Sequence, residues 1–181
     1  YKTKYDEILA ADNTPLLNRA TCGLYRPGST FKTITATAGL NEGIVTGNST
    51  YYCGHKMQFY DVEYGCTGWH NDIAVAEALK VSCNIYFYEL SRRLGIDKIS
   101  EYASMYGFGQ HTGLETGDYA GAIGNPERFN ELGLDWTVGQ VIQAGIGQSE
   151  TAATPLQMAV QASTIANRGV RYEPHLVDSI Y

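Results

Sequence analysis

Residues 29–43, STFKTITATAGLNEG, open on a helix-capping serine and close on a glycine. Between them lies a run of Ala and Thr small enough that the segment reads as a helix packed tightly inside a domain. Around it the chain keeps a helical rhythm. DIAVAEALKVS and SCNIYFYELSRRLG read as helices and DKISEYASMYG as a third, with Asp72 and Asp97 as natural N-caps for the first and last. A further helix is expected near WTVGQVIQAG and a longer one in TPLQMAVQASTIANRG, where Pro155 takes a helix-start position and Gly169 falls just past the end. Residues 1–28 read as irregular, residues 107–133 as a long Gly-rich loop, and RYEPHLVDSIY as the start of a strand. No βαβ alternation and no internal repeat is evident, so the expected domain is dominated by helix.

The totals narrow the function classes. With 181 residues, 44% hydrophobic and 18% charged, the chain suits one domain with a sizeable core. The net charge is -6 and no basic stripe stands out, which argues against nucleic acid as a partner. No run of about 18 apolar residues is present, so the chain itself offers no membrane span. Four cysteines are too few to define a disulfide scaffold at this length.

Ser29-Thr30-Phe31-Lys32 is an S-x-x-K tetrad at the predicted helix N-terminus. The i, i+3 spacing puts Ser29 and Lys32 on one helix face. A serine hydroxyl is a poor nucleophile until a base takes its proton, and a lysine can be that base if burial lowers its pKa. The helix N-terminus adds a positive partial charge that favours a developing oxyanion. Alone the tetrad is weak, because a capped helix with a solvated lysine has the same letters. Ser82-Cys83-Asn84 adds an S-x-N triplet at the start of a second helix, and its bland alternative is likewise capping.

Tetrad and triplet together match the active-site set of β-lactamases and penicillin-binding proteins. The wider sequence resembles the class B penicillin-binding proteins, the cell-wall transpeptidases. LLNRATCGLYRPGSTFK resembles their lead-in to the first motif, and EALKVSCNIYFYELSRRLG their second-motif helix. YGFGQHTGLETGDYAG and GIGQSETAATPLQMAVQASTIANRG resemble two further family blocks. The resemblance covers most of residues 12–178. It implies an α+β serine transpeptidase fold of the penicillin-binding and β-lactamase-like type, with this chain holding mostly the helical part and an incomplete sheet. It implies Ser29 as the acylated nucleophile, Lys32 as its base and Ser82 as a proton relay. Asn84 would bind the substrate's acyl-amide side chain and hold Lys32, and the Ser29 N–H would serve as an oxyanion donor. Cys83 reads as a small buried residue, a position where the family often has Cys.

The family's third motif, Lys-Thr/Ser-Gly, is missing. His111-Thr112-Gly113 has the shape, but it lies between the second motif and TPLQ, whereas the third motif belongs beyond TPLQ. The expectation is therefore a partial transpeptidase domain over residues 1–181, inactive in isolation.

Residues 51–72, YYCGHKMQFYDVEYGCTGWHND, hold two of the four cysteines and two of the four histidines. Cys53, His55, Cys66 and His70 offer thiolate and imidazole, the ligands that tetrahedral zinc prefers. The segment is a candidate zinc-binding insertion, with Cys53, His55 and Cys66 the firmer ligands and the fourth either His70 or Asp72. His70 has a competing account, since the family usually carries a His there, and Asp72 has its capping role. A Cys53–Cys66 disulfide and mere coincidence stay open beside the metal. Any zinc here would be structural, because S-x-x-K chemistry needs none.

The implied activity is peptidoglycan crosslinking through an acyl-enzyme on Ser29, with D-Ala-D-Ala stem peptides as substrates and β-lactams acylating the same serine. The implied setting is the extracytoplasmic face of a bacterial membrane, with an anchor outside this chain and a glycosyltransferase partner. Two rivals share the fold: a serine β-lactamase, distinguished by fast acyl-enzyme turnover, and a non-catalytic β-lactam sensor, distinguished by the lack of transpeptidation.

Overall fold

A computed structural model describes residues 2–179. Its backbone runs α1 (Lys2–Leu9), α2 (Arg19–Cys22), a 3-10 turn (Gly28–Phe31), α3 (Lys32–Asn41), β1 (Thr50–Cys53), β2 (Lys56–Phe59), β3 (Val62–Gly65), β4 (Asn71–Ala74), α4 (Val75–Lys80), α5 (Asn84–Met105), α6 (Pro126–Glu131), α7 (Gly139–Ala144) and α8 (Pro155–Ala166). Helix dominates, and the strands form only two sheets of two strands each.

The core lies between α3, α5 and α7, and the small residues of α3 explain how it closes. A Cβ on Gly39 would stand 2.7 Å from Leu90 Cδ1, so the α5 leucine packs directly on the α3 backbone. Ile34, Ala38, Leu90 and Ile142 are all fully buried around that contact. On the far side Thr35 Oγ1 donates to Gly145 O at 2.6 Å, tying α3 to the end of α7. α5 is interrupted at Gly95, whose φ of 76° only glycine takes without strain. The reading of two helices there corresponds to this break.

α8 carries a full capping box between Thr154 and Gln157, with Pro155 in its first turn. The Gln157 amide also donates to Gly107 O, Gln110 O and Ala120 O at 2.8–3.0 Å. One buried side chain thus shapes the loop that follows α5. In that loop Asp118 accepts from the Thr112 N–H at 2.8 Å and from His111 Nδ1 at 3.0 Å. His111-Thr112-Gly113 is therefore a braced turn, with Gly113 at φ +92°, and not a strand edge.

β1 pairs antiparallel with β4, from Thr50 opposite Ala74 to Cys53 opposite Asn71. The β2–β3 hairpin is nested between them. Four sequence expectations are corrected. Residues 71–74 extend as β4 because they complete this ladder, so Asp72 lies in a strand opposite Tyr52 and Ala74 precedes α4. Residues 1–28 contain α1 and α2, and the 107–133 loop contains α6, capped by Asn125. Residues 171–179 form no strand, and the last two residues of that segment lie outside the described range.

Candidate active site

Ser29 sits in the 3-10 turn that precedes α3, and local residues dictate that geometry. Pro27 fixes its own φ at -66°, and Gly28 supplies the left-handed φ of +57° that redirects the chain. Thr30 Oγ1 closes the turn on Pro27 O at 2.8 Å. Phe31 is fully buried and packs edge-on against Phe108, ring centroids 5.5 Å apart, which pulls the turn inward and leaves Ser29 exposed. The Gly28 N–H donates to Gly147 O at 2.9 Å, so the GIGQ segment backs the turn from behind.

Lys32 is 1% exposed, and its ammonium is fully engaged. Nζ donates to Ser82 O at 2.8 Å, to Ser82 Oγ at 2.9 Å and to Asn84 Oδ1 at 2.6 Å. Ser82 Oγ in turn donates to Ser29 Oγ at 3.0 Å. The tetrad and the triplet, some fifty residues apart in sequence, thus form one hydrogen-bonded chain: Lys32, Ser82, Ser29, with Asn84 bracing the lysine. Ser82 holds φ +54°, a left-handed conformation that costs a non-glycine residue about 1–3 kcal/mol and is found where surrounding structure over-determines it. Burial pushes the Lys32 ammonium below its ordinary pKa, and negative charge on Cys66 pulls the other way. The arrangement can pass a proton from Ser29 to a base while holding that base out of water.

Behind Asn84 lies a cluster of Cys53, Cys66, His70 and Cys83, whose ligand atoms all fall within 4.8 Å of one another. His70 Nδ1 lies 3.5 Å from Cys53 Sγ and 3.6 Å from Cys66 Sγ, and Cys66 and Cys83 sulfurs are 3.8 Å apart. A tetrahedral zinc with the usual bond lengths requires about 3.6 Å between S and N and about 3.8 Å between sulfurs. The donor set therefore fits that ion by type and spacing. Each member sits at an element end: Cys53 closes β1, Cys66 follows β3, His70 precedes β4 and Cys83 is the N-cap of α5. All four cysteines are free thiols. Burial would raise the Cys66 thiol, but N–H groups of Gly68, Ile85 and Asn84 and the Cys83 thiol bring it down to about 6. Cys83 is pushed up to about 12 by burial, by its hydrogen bond to Cys53 and by the charge of Cys66.

Two of the expected ligands stand elsewhere. His55 has φ +73° and turns its ring onto Trp69, centroids 5.6 Å apart and nearly parallel, so it does not face the cluster. Asp72 is exposed on β4. Cys83 takes the place they were expected to fill. The available signal was a fourth cysteine at a helix start, 17 residues beyond Cys66, inside the very triplet already singled out. The cluster touches that triplet directly, because the Asn84 N–H points at Cys66 Sγ, 3.2 Å away, and Asn84 Nδ2 at Gly65 O, 3.4 Å away.

The family model for the penicillin binding protein transpeptidase domain matches residues 1–181. The chain is 33% identical over 184 residues to the peptidoglycan D,D-transpeptidase MrdA of Escherichia coli K12, a match covering 97% of this chain and 29% of that protein. Among solved structures, Pseudomonas aeruginosa PBP2 in complex with WCK 5153 superposes with a TM-score of 0.91 at 34% identity, over 99% of this chain and 42% of that one. The penicillin G acyl-enzyme complex of penicillin-binding protein A from M. tuberculosis superposes with a TM-score of 0.84 at 26% identity, over 98% of this chain and 40% of that one. The chain thus spans about 29% of the length of the curated relative it matches. Among the described residues no helix is long and apolar enough to cross a membrane.

Proposed function

The chain belongs to the penicillin binding protein transpeptidase family, and from that premise we propose that it carries the nucleophile and proton-transfer half of a peptidoglycan D,D-transpeptidase. Ser29 is the nucleophile. With Lys32 neutral, the hydrogen bonds of the chain reverse direction: Ser29 donates to Ser82, and Ser82 donates to Lys32. As Ser29 Oγ attacks the carbonyl of the penultimate D-Ala, its proton passes to Lys32, directly or through Ser82. The proton then leaves with the terminal D-Ala as that amide bond breaks. In the second half-reaction an acceptor amine attacks the acyl-enzyme ester and releases Ser29. A β-lactam enters the first step in the same way, and its opened ring remains as the ester. Asn84 holds Lys32 through Oδ1 and offers its amide to the acyl chain, and the Ser29 N–H is one donor to the oxyanion.

The observation that carries this reading is the hydrogen-bonded chain Lys32–Ser82–Ser29, closed across the two motifs at 2.9 and 3.0 Å. Cys53, Cys66, His70 and Cys83 would hold a structural zinc. With four protein ligands the ion would leave no open position for water, so it would supply folding energy and take no part in the acyl transfer. It would make residues 51–72 a zinc-binding insertion that braces Asn84 from behind. The setting is the extracytoplasmic face of a bacterial membrane, with peptidoglycan stem peptides and β-lactams as ligands. Crosslinking consumes glycan strands, so a glycosyltransferase that polymerises them is the expected working partner.

The test is labelling of the full-length protein with a fluorescent penicillin, peptide mapping of the adduct, and a transpeptidation assay on lipid-linked precursor. The reading requires the label on Ser29 and its loss in Ser29→Ala. An adduct elsewhere, or none at saturating penicillin, overturns it.

A further inference from the structure

The Ser29–Lys32 pair depends on a turn that its own helix does not secure. In an α-helix residues i and i+3 are offset by about 60° around the axis, whereas in a 3-10 turn they eclipse. The 3-10 turn Gly28–Phe31 therefore sets how far Ser29 stands from the Lys32 and Ser82 groups that serve it. Such turns have poorer hydrogen-bond geometry and stay short, so their persistence calls for support from outside.

We infer that Gln161, a side chain of α8, is a positioning residue for the nucleophile turn. Gln161 is 3% exposed and reaches across from α8 to α3. Its Nε2 donates to Thr30 O at 2.9 Å and to Thr33 Oγ1 at 2.8 Å, spending both amide hydrogens on the junction where the 3-10 turn becomes α-helix. Thr33 Oγ1 itself donates to Thr30 O at 2.9 Å, so the three groups form a closed triangle beside Ser29. Gln161 Oε1, by contrast, is buried with no partner. Buried amides normally satisfy both ends, and flipping this one would set its oxygen against Thr30 O. The side chain thus tolerates an orphaned acceptor in order to deliver two donors to one place. An apolar residue of the same length would fill the space as well, so packing does not account for a glutamine here. The pin acts through Ser29 and touches no reacting atom.

The inference rests on the acyl-transfer reading of Ser29, and the test separates the two. The full-length protein, Gln161→Met, Thr33→Val and the double variant are each acylated with a fluorescent penicillin over a concentration series, giving the dissociation constant K of the non-covalent complex and the acylation rate k2. Gln161→Met keeps the volume and removes both donors. The expected result is a fall in k2 of about 10- to 100-fold with K within about twofold, the signature of a misplaced reacting group in a site that still binds. Thr33→Val, half-buried and mild, shows part of the fall, and the double variant is no worse than Gln161→Met because both changes open the same triangle. A folded Gln161→Met with k2 within about twofold of wild type overturns the inference, as does a loss that lies wholly in K. If Gln161→Met does not fold, Thr33→Val decides, and an unchanged k2 there overturns it. If wild type itself is not labelled on Ser29, the acyl-transfer reading fails, and this inference with it.

Discussion

Gly147→Ala tests whether the nucleophile turn is built by backbone contact with the GIGQ segment. Gly147 has φ +69°, and a Cβ there would overlap Gly28 O while standing 2.7 Å from Phe31 Cβ and 2.8 Å from Gly28 N. Ordinary contact begins near 3.4 Å, so the two turns must part by about 1 Å. Three costs add and one offsets. The left-handed backbone costs an alanine about 1–2 kcal/mol, and overpacking against Phe31, itself fully buried, costs about 1–3 kcal/mol. The Gly28 N–H loses its 2.9 Å bond to Gly147 O, worth about 1 kcal/mol. The loss of glycine's freedom in the unfolded chain returns somewhat under 1 kcal/mol. The net is about 3–5 kcal/mol, or roughly 10 °C in the melting temperature of a domain this size. Because Gly28 precedes Ser29, the shift also moves the nucleophile, and acylation should slow about 100-fold. Differential scanning fluorimetry and penicillin labelling of the full-length protein check both numbers. A variant that melts within about 2 °C of wild type and labels at the same rate would show that the two turns are not in the contact described.

Lys32→Met should reduce penicillin acylation by about 10²–10⁴-fold, the range for loss of a positioned base. It should leave the protein folded, because removing a buried ammonium relieves desolvation even as it leaves Ser82 O and Asn84 Oδ1 unpaired; stopped-flow labelling and a melt measure the two effects. Alanine or serine at Cys53, Cys66, His70 or Cys83 should abolish bound zinc in native mass spectrometry, and a chelator should lower the wild-type melting temperature by about 10 °C. His55→Ala and Asp72→Ala should retain one zinc per chain, because neither side chain faces the cluster. Burial raises the Asp118 carboxyl, but hydrogen bonds from Thr112 and His111 outweigh it and hold its pKa below 3.8. A carboxyl held low in the folded state contributes stability above its unfolded pKa and loses it as pH falls through the folded value. The acid limb of wild type should therefore lie below about pH 4, and Asp118→Asn should lower stability at pH 7 and flatten that limb in pH-dependent melts.

The two motifs were legible because each obeys a local rule. S-x-x-K needs only helical spacing to share a face, and Pro27-Gly28 before it marks the turn. The start of α8 was legible for the same reason, since Pro155 marks a first helical turn, and the structure adds the capping box of Thr154 and Gln157. β4 was misread because NDIA obeys no local rule that separates a strand from a capped helix start. Only the ladder to β1, which closes across the β2–β3 hairpin, decides it. The same nesting decided the cluster. Spacing alone favoured His55 beside Cys53, yet β1 ends at Cys53, and the left-handed backbone of His55 turns its ring onto Trp69.

From the sequence alone came a helix-rich domain, the S-x-x-K tetrad, the serine and asparagine of the second motif, and a Cys- and His-rich segment between the two. The helices and the shared face of Ser29 and Lys32 follow from residue type and short-range spacing, whereas the roles of the two motifs came from the resemblance to the transpeptidases. Only the tertiary structure decided that Cys83 joins the cluster, that the cluster abuts Asn84, and that Gly147 and Gln161 brace the turn carrying Ser29. Those contacts join residues that lie from 17 to more than 130 positions apart. Their partners are set by how α3, α5 and α8 pack, which no local pattern encodes.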